Sequence, residues 1–435
     1  MVWKETKKCK VLFDFLLQHI DCNHVSNRRE SYDTIQTFYS DLIEANNWLL
    51  TKTKSTAKWF DLKMTSITSE DQIPMSANGS NKFINETIIQ HIKKNSVFMS
   101  MYSLTVFEKQ IIIYFVFEKA ELSKEHGQPK LSVIESYVKN ILLWLYIVNK
   151  YSSKLCSPSI SFYIYLTSLN KIIPAIPNQV LSATHVNTGL TQSCATSHNE
   201  IVIYRHEEWF KVLIHESIHA FGLDFNTSGE TEIRKTFFIP TEIPILLFEA
   251  YTEFWARIIN VMIVSFHWSN SSLHEFTNTV IFLLDYERVY SFFHMVKVLH
   301  LMNITYSDLY TNQHLLQTYR EETNVFVYNV ITTILLNDYP LFMKWCSTNN
   351  TNLLQFHDTT DKVVLFCHYI KNEYDTESML DMIKCASLLY NKLYRRSSKL
   401  SIRNTLSSKK QYSQKSKMNF IHETMRMSLC EVKNI

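Results

Sequence analysis

In the run EEWFKVLIHESIHAFG, His215 and His219 stand four residues apart, with Glu216 next to the first. On a helix this spacing projects both imidazoles from one face a turn apart, so that both reach a single ion, and zinc is the ion such a pair suits. Glu216 is then placed to take a proton from a water and pass it later to a leaving amine, which is general acid–base catalysis of hydrolysis. A catalytic zinc needs three protein ligands and one open position. Glu249 is the candidate for the third ligand. Glu253, one turn further on, is the candidate acceptor for the spare N–H of a ligand histidine, fixing its tautomer. Both acids lie among Ile245, Leu246, Leu247, Phe248, Phe254 and Trp255, a setting in which a carboxylate requires a partner. Asp224 is the alternative third ligand. The reading without metal leaves two partly buried helix histidines satisfied by hydrogen bonds.

HExxH followed on a second helix by FEAYTEFWA resembles the gluzincin metallopeptidases, in which a ligand glutamate is followed four residues later by an acidic residue. The resemblance covers residues 185 to 256. It implies Zn2+, a peptide-bond hydrolase with Glu216 catalytic, and His215, His219 and Glu249 as metal ligands. It also implies a protein or peptide substrate lying along an edge strand, which residues 187–194 match. HESIHAFGLDF is also similar to the metzincin pattern HExxHxxGxxH, Gly222 included, but Phe225 stands at the third histidine and cannot bind zinc. Asp224 is one position off. The oxyanion-stabilising group of such an enzyme is sought in YREETNVFVYNVI, which offers Tyr319, Arg320 and Tyr328, and Tyr328 is the catalytic candidate. The composition resembles uncharacterised zincin-like proteins of large DNA viruses, implying a cytoplasmic location in the host or in the virion.

These residues must be positioned by an α+β fold: a zincin-like core with a small mixed sheet and an active-site helix, flanked by mostly helical N- and C-terminal regions. SISFYIYLT, VNTGLTQSC and NEIVIYR read as short strands, and the last leads directly into the histidine helix. That helix has Glu207 and Glu208 in its first turn, where they suit the dipole, and Gly222 where it should stop. A second helix is expected over 243–263. Upstream, 131–151 reads as an amphipathic helix, TVFEKQIIIYFVFEKAE as a buried strand or helix, and residues 11–20 and 35–43 as helical. Residues 61–81 are polar and turn-rich, a linker candidate. The expected divisions are a helical N-terminal region 1–80, a catalytic core 81–260, a helical subdomain 261–392 and a basic, disordered tail 393–435.

The totals restrict the partners. Of 435 residues, 44 are basic and 41 acidic, too balanced for the whole molecule to act as a nucleic-acid or membrane-surface binder. Only the tail, basic and without acids over 392–417, could reach nucleic acid. Eight cysteines without a CxxC pair argue against a disulfide framework, and the N-terminus lacks a cleavable signal pattern, which together suggest a reducing compartment. The longest apolar runs, such as 141–148, fall short of the ~20 residues that span a bilayer. With only five glycines in the chain, Gly189 and Gly222 beside the motif are expected to serve the backbone. The rival from another class is a catalytically inactive zincin-like interaction protein, associated with a virion or a nucleic acid through its tail.

Overall fold

Alternation and β-branching build the sheet. The computed structural model describes residues 6–17, 28–54, 59–76, 79–123, 127–174, 179–269, 272–402 and 409–431. The ambiguous run before residue 120 is a strand, β3 (Lys109–Glu118), paired antiparallel with β2 (Ser96–Val106). The two are joined through Phe107 and Glu108, both at positive φ, the backbone of a two-residue hairpin turn made here without glycine. The three strands read from the sequence are β4 (Ser159–Leu166), β5 (Gly189–Thr191) and β6 (His198–Ile203). With β1 (Phe60–Ser66) they form one mixed sheet in the order β1-β2-β3-β4-β6-β5, in which β3, β4 and β6 run parallel and the outer pairs antiparallel.

β1 corrects the linker expectation at 61–66. Asp61, Lys63 and Ser66 point to water while Phe60 and Leu62 pack inward, so the polar composition that suggests a linker is the alternation of an exposed edge strand. The central strands are covered on both faces. Phe115, Phe162, Ile164, Ile201 and Ile203 join the main core, and Val116, Tyr163, Tyr165 and Val202 join a smaller one with Ile88, Ile89 and Ile92 of helix Glu86–Asn95. Continuous apolar runs are what burial on both faces demands.

The fold is α+β, 58% helical and 12% strand. The helices include Lys7–Leu17, Tyr32–Lys54 and Leu131–Tyr151 at the N-terminal side of the motif, as expected; Ile20 lies outside the described residues. Leu131–Tyr151 is long and apolar enough to cross a membrane by length and composition, and 61% of its apolar window is buried in the protein, with Ile141, Trp144 and Val148 in the main core. That core draws residues from each of the four expected divisions, among them Leu42, Phe115, Phe292 and Leu429.

Two further expectations are corrected. The tail is helical at Glu377–Ile402 and Lys409–Glu423, after which Thr424, Met425, Arg426, Met427, Ser428, Leu429 and Cys430 are all buried. Two buried carboxylates hold this segment: Glu208 accepts from the N–H groups of Met427 and Ser428, and Glu287 from those of Leu429 and Cys430. Its methionines and leucine supply the apolar surface that a solvated tail lacks. Tail residues 403–408 and 432–435 lie outside the described residues. Secondly, Cys156 and Cys194, 38 residues apart, form a disulfide, and Cys385 is also disulfide-bonded. The cysteine argument for a reducing compartment therefore loses its premise.

Candidate metal centre

β6 delivers the chain to the motif helix, Trp209–Ala220, which is buried along its whole length. The acids expected in its first turn precede it. Glu208 is the N-cap residue in the left-handed region, and its carboxylate pairs with Lys171 and receives the C-terminal segment instead of lying along the dipole. At the other end Gly222, at φ 64°, donates its N–H to the His219 carbonyl while Leu223 donates to Ile218, closing the last turn on the left-handed residue as a helix stop requires. The Cys194 N–H also donates to the His219 carbonyl. Gly189 serves a close approach: a Cβ there would sit 2.9 Å from Val212 on the motif helix and 2.8 Å from Ile203.

The glutamate helix is Leu247–Trp268, packed against the motif helix. It starts four residues later than the expected Ile243, where the following Pro244 disfavours helical backbone. Glu249 falls in its first turn.

Three donor atoms converge. His215 Nε2 lies 3.1 Å from Glu249 Oε2 and 3.2 Å from His219 Nε2, and His219 Nε2 lies 3.3 Å from the same Glu249 oxygen. Tetrahedral ligands at zinc distances are about 3.3 Å apart, so the triangle has the dimensions of a zinc-ligand face. These are the atoms of the described residues that could jointly hold an ion. Each histidine is tied at its far nitrogen. His215 Nδ1 is 3.1 Å from Glu253 Oε2, and His219 Nδ1 is 2.6 Å from Asp224 Oδ2. With Nδ1–H donated to a carboxylate, each Nε2 presents a lone pair to the centre of the triangle. Asp224 is thus not a third ligand. It sits on the side of the ring away from the cluster, and its role of orienting His219 was not foreseen.

The electrostatics follow from burial and charge. Burial alone would depress both histidines, but Glu249 and Glu253 at His215, and Asp224 and Glu249 at His219, raise them above the ordinary imidazole value. Burial works to raise Glu249, and the His219 and His215 rings overcome it and hold the carboxyl below its usual range. Burial likewise opposes Glu253, which Lys211 and Arg257 hold far down. Glu216 differs: burial raises it, and its carboxylate makes no side-chain hydrogen bond among the described residues.

Tyr328, on a π-helical turn Val327–Ile331, donates its hydroxyl to Glu249 Oε2 at 2.9 Å. Such turns recur at functional sites. Tyr319 directs its hydroxyl to Glu321, and Arg320 bonds the Tyr319 carbonyl, so of the three residues offered by that stretch Tyr328 is the one at the cluster. The cleft is lined by Val186, Asn187, Thr188, Gly189, Lys211, Val212, His215, Glu216, Glu253, Tyr328 and Met427. Met427 was missed, although the apolar alternation in MRMSLC signals burial. Lys211 was missed too, and a lysine amid Phe210, Val212 and Leu213 on a buried helix signals a paired charge.

No protein-family model matches this chain, and neither the curated proteins nor the solved structures give a match.

Proposed function

We propose that this chain is a zinc-dependent metallopeptidase with a zincin-like core of the gluzincin type. The observation that carries the reading is the triangle of His215 Nε2, His219 Nε2 and Glu249 Oε2, with sides of 3.1 to 3.3 Å, each histidine held at its other nitrogen by a buried carboxylate. Three lone pairs aimed at one point repel one another unless a cation or a shared proton lies between them. Zinc bound there supplies Lewis-acid polarisation of a substrate carbonyl and of a water. Glu216, which lines the cleft and makes no side-chain hydrogen bond among the described residues, takes the proton from the attacking water as the new C–O bond forms. It then delivers that proton to the amine nitrogen as the C–N bond breaks. Tyr328 points its hydroxyl at the cluster and is placed to steady negative charge on the carbonyl oxygen. Edge strand β5 and the preceding residues 186–188 border the same cleft, where an extended peptide would lie.

The test is zinc per chain on folded protein. The expected result is one zinc in wild type, lost in His219→Ala and Glu249→Ala and retained in Asp224→Ala at saturating metal. Glu216→Gln should keep its zinc while cleavage of a peptide library falls at least ~100-fold. Zinc-free wild type after supply of metal sinks the reading.

A second reading, a zinc-holding protein without turnover, draws on the burial of the site: His215, Glu216 and His219 are each 8% exposed or less. Zinc-loaded wild type that cleaves no peptide in the library would establish it.

A further inference from the structure

Glu253 is fully buried and accepts more than the His215 ring. Lys211 Nζ lies 3.0 Å from each of its oxygens, and Arg257 Nε lies 2.9 Å from Oε1. Lys211 and Arg257 are themselves 2% and 1% exposed. The local geometry is reciprocal. Lys211 precedes His215 by one turn on the motif helix, and Arg257 follows Glu253 by one turn on the glutamate helix, so both helices place a cation beside the carboxylate that bridges them. Arg257 is fixed in turn. Its Nη1 is 3.2 Å from Ser291 Oγ, which is 2.7 Å from Thr333 Oγ1, and that hydroxyl donates to the carbonyl of Asn329, the neighbour of Tyr328.

Two buried cations on one buried anion are more than stability asks for, since ion pairs in an interior seldom improve on apolar packing. They are what orientation asks for. Lys211 draws on both oxygens from one side and Arg257 holds Oε1, so Oε2 is left with an acceptor direction toward His215 Nδ1. The carboxylate cannot rotate without breaking one of three charge-assisted hydrogen bonds. With Nδ1–H committed to it, the His215 ring turns Nε2 to the triangle.

We infer that Lys211 and Arg257 are positioning residues of the metal centre, acting through Glu253 to set the tautomer and ring orientation of His215. The inference rests on the metal reading above and deepens it. The His219 arm, held by Asp224, is independent of them.

The experiment is a cycle of zinc affinities, read by competition with a chelating dye on protein whose helical circular dichroism matches wild type. Lys211→Met should weaken zinc binding ~10–100-fold, the range for groups that orient a ligand. In a Glu253→Gln background the same substitution should cost nothing further, because its route to the metal is already cut. Combined with Asp224→Asn, by contrast, the two losses should multiply. Unchanged affinity in folded Lys211→Met, or losses that multiply with Glu253→Gln, would overturn the inference. If Lys211→Met does not fold, Arg257→Gln in the same cycle is read by the same two criteria. Wild type that takes up no zinc removes the metal reading and this inference together, whereas zinc-loaded wild type with an unaffected Lys211→Met removes this inference alone.

Discussion

Gly222 joins the last turn of the motif helix to the disulfide, and its replacement by alanine can be worked out from the structure. Two effects add. At φ 64° an L side chain strains the backbone by ~1–2 kcal/mol. The new Cβ would also lie 2.9 Å from Cys156 Sγ, with the Cβ and Sγ of Cys194 at 3.4 and 3.5 Å. A sulfur locked in a disulfide cannot swing away as a flexible side chain does, so overpacking contributes a further ~1–3 kcal/mol. Gly127 is the control, because it has φ 61° and, among the described residues, nothing within 4 Å of an added Cβ. Gly127→Ala should therefore show the backbone cost alone. Urea unfolding, followed by tryptophan fluorescence, should place Gly222→Ala below Gly127→Ala by that ~1–3 kcal/mol surplus. The surplus should vanish when both substitutions are compared in a Cys156→Ala/Cys194→Ala background. Equal costs in the native background, or a surplus that survives removal of the sulfurs, would refute the packing described at this junction. Because the His219 carbonyl accepts from both Gly222 and Cys194, zinc affinity should fall along with stability in Gly222→Ala.

Three further outcomes are expected. Opening the Cys156–Cys194 bond as a double alanine variant frees a 38-residue loop in the unfolded chain and should cost ~4 kcal/mol by loop entropy, measured as a shift in the urea midpoint. Glu321, whose burial pushes its pKa up to about 7, keeps a proton in the folded state that the unfolded state loses near 4.5. Stability should fall as pH rises through that window, and Glu321→Gln should flatten the difference between midpoints taken at pH 5 and pH 8; an unchanged slope would count against the assignment. Ending the chain after Glu423 removes the N–H donors from buried Glu208 and Glu287, each loss costing ~1–3 kcal/mol or more. The shortened protein should be rapidly degraded in limited proteolysis, whereas a solvated tail would be lost without effect.

What the sequence made legible was local. His215 and His219 on one helix, and Glu249 and Glu253 on another, each stand four residues apart, a spacing that a helix converts directly into a shared face. That the two pairs meet needed only the inference that acids amid Ile245, Phe248, Phe254 and Trp255 want a partner. β4, β5 and β6 were readable from β-branched and aromatic runs. What depended on distant pairing was not readable. Asp224 could be a ligand or a ligand's support, and only the rotamer of His219 relative to the glutamate helix decides between them. Lys211 meets Glu253 42 residues away, and Cys156 meets Cys194 across 38, with no motif marking either. The 61–66 strand and the C-terminal segment depart from expectation for one reason: polar or basic composition does not describe the backbone, and in one case it belongs to an exposed strand face while in the other it adjoins an apolar anchor.

The C-terminal anchor has a kinetic corollary. Glu208 stands at the N-cap position of the motif helix, yet its carboxylate accepts from the N–H groups of Met427 and Ser428, 219 and 220 residues downstream, and Thr6 meets Glu431 across 425 residues. Contacts so far apart form late, because the intervening chain must be ordered before closure is rewarded. During synthesis the histidines and both glutamates emerge well before Met427, which lines their cleft. The residues of the candidate metal cluster are therefore made early and Met427, which lines their cleft, last, so on the metallopeptidase reading proposed above a nascent chain could take up its ion before that part of the wall is in place.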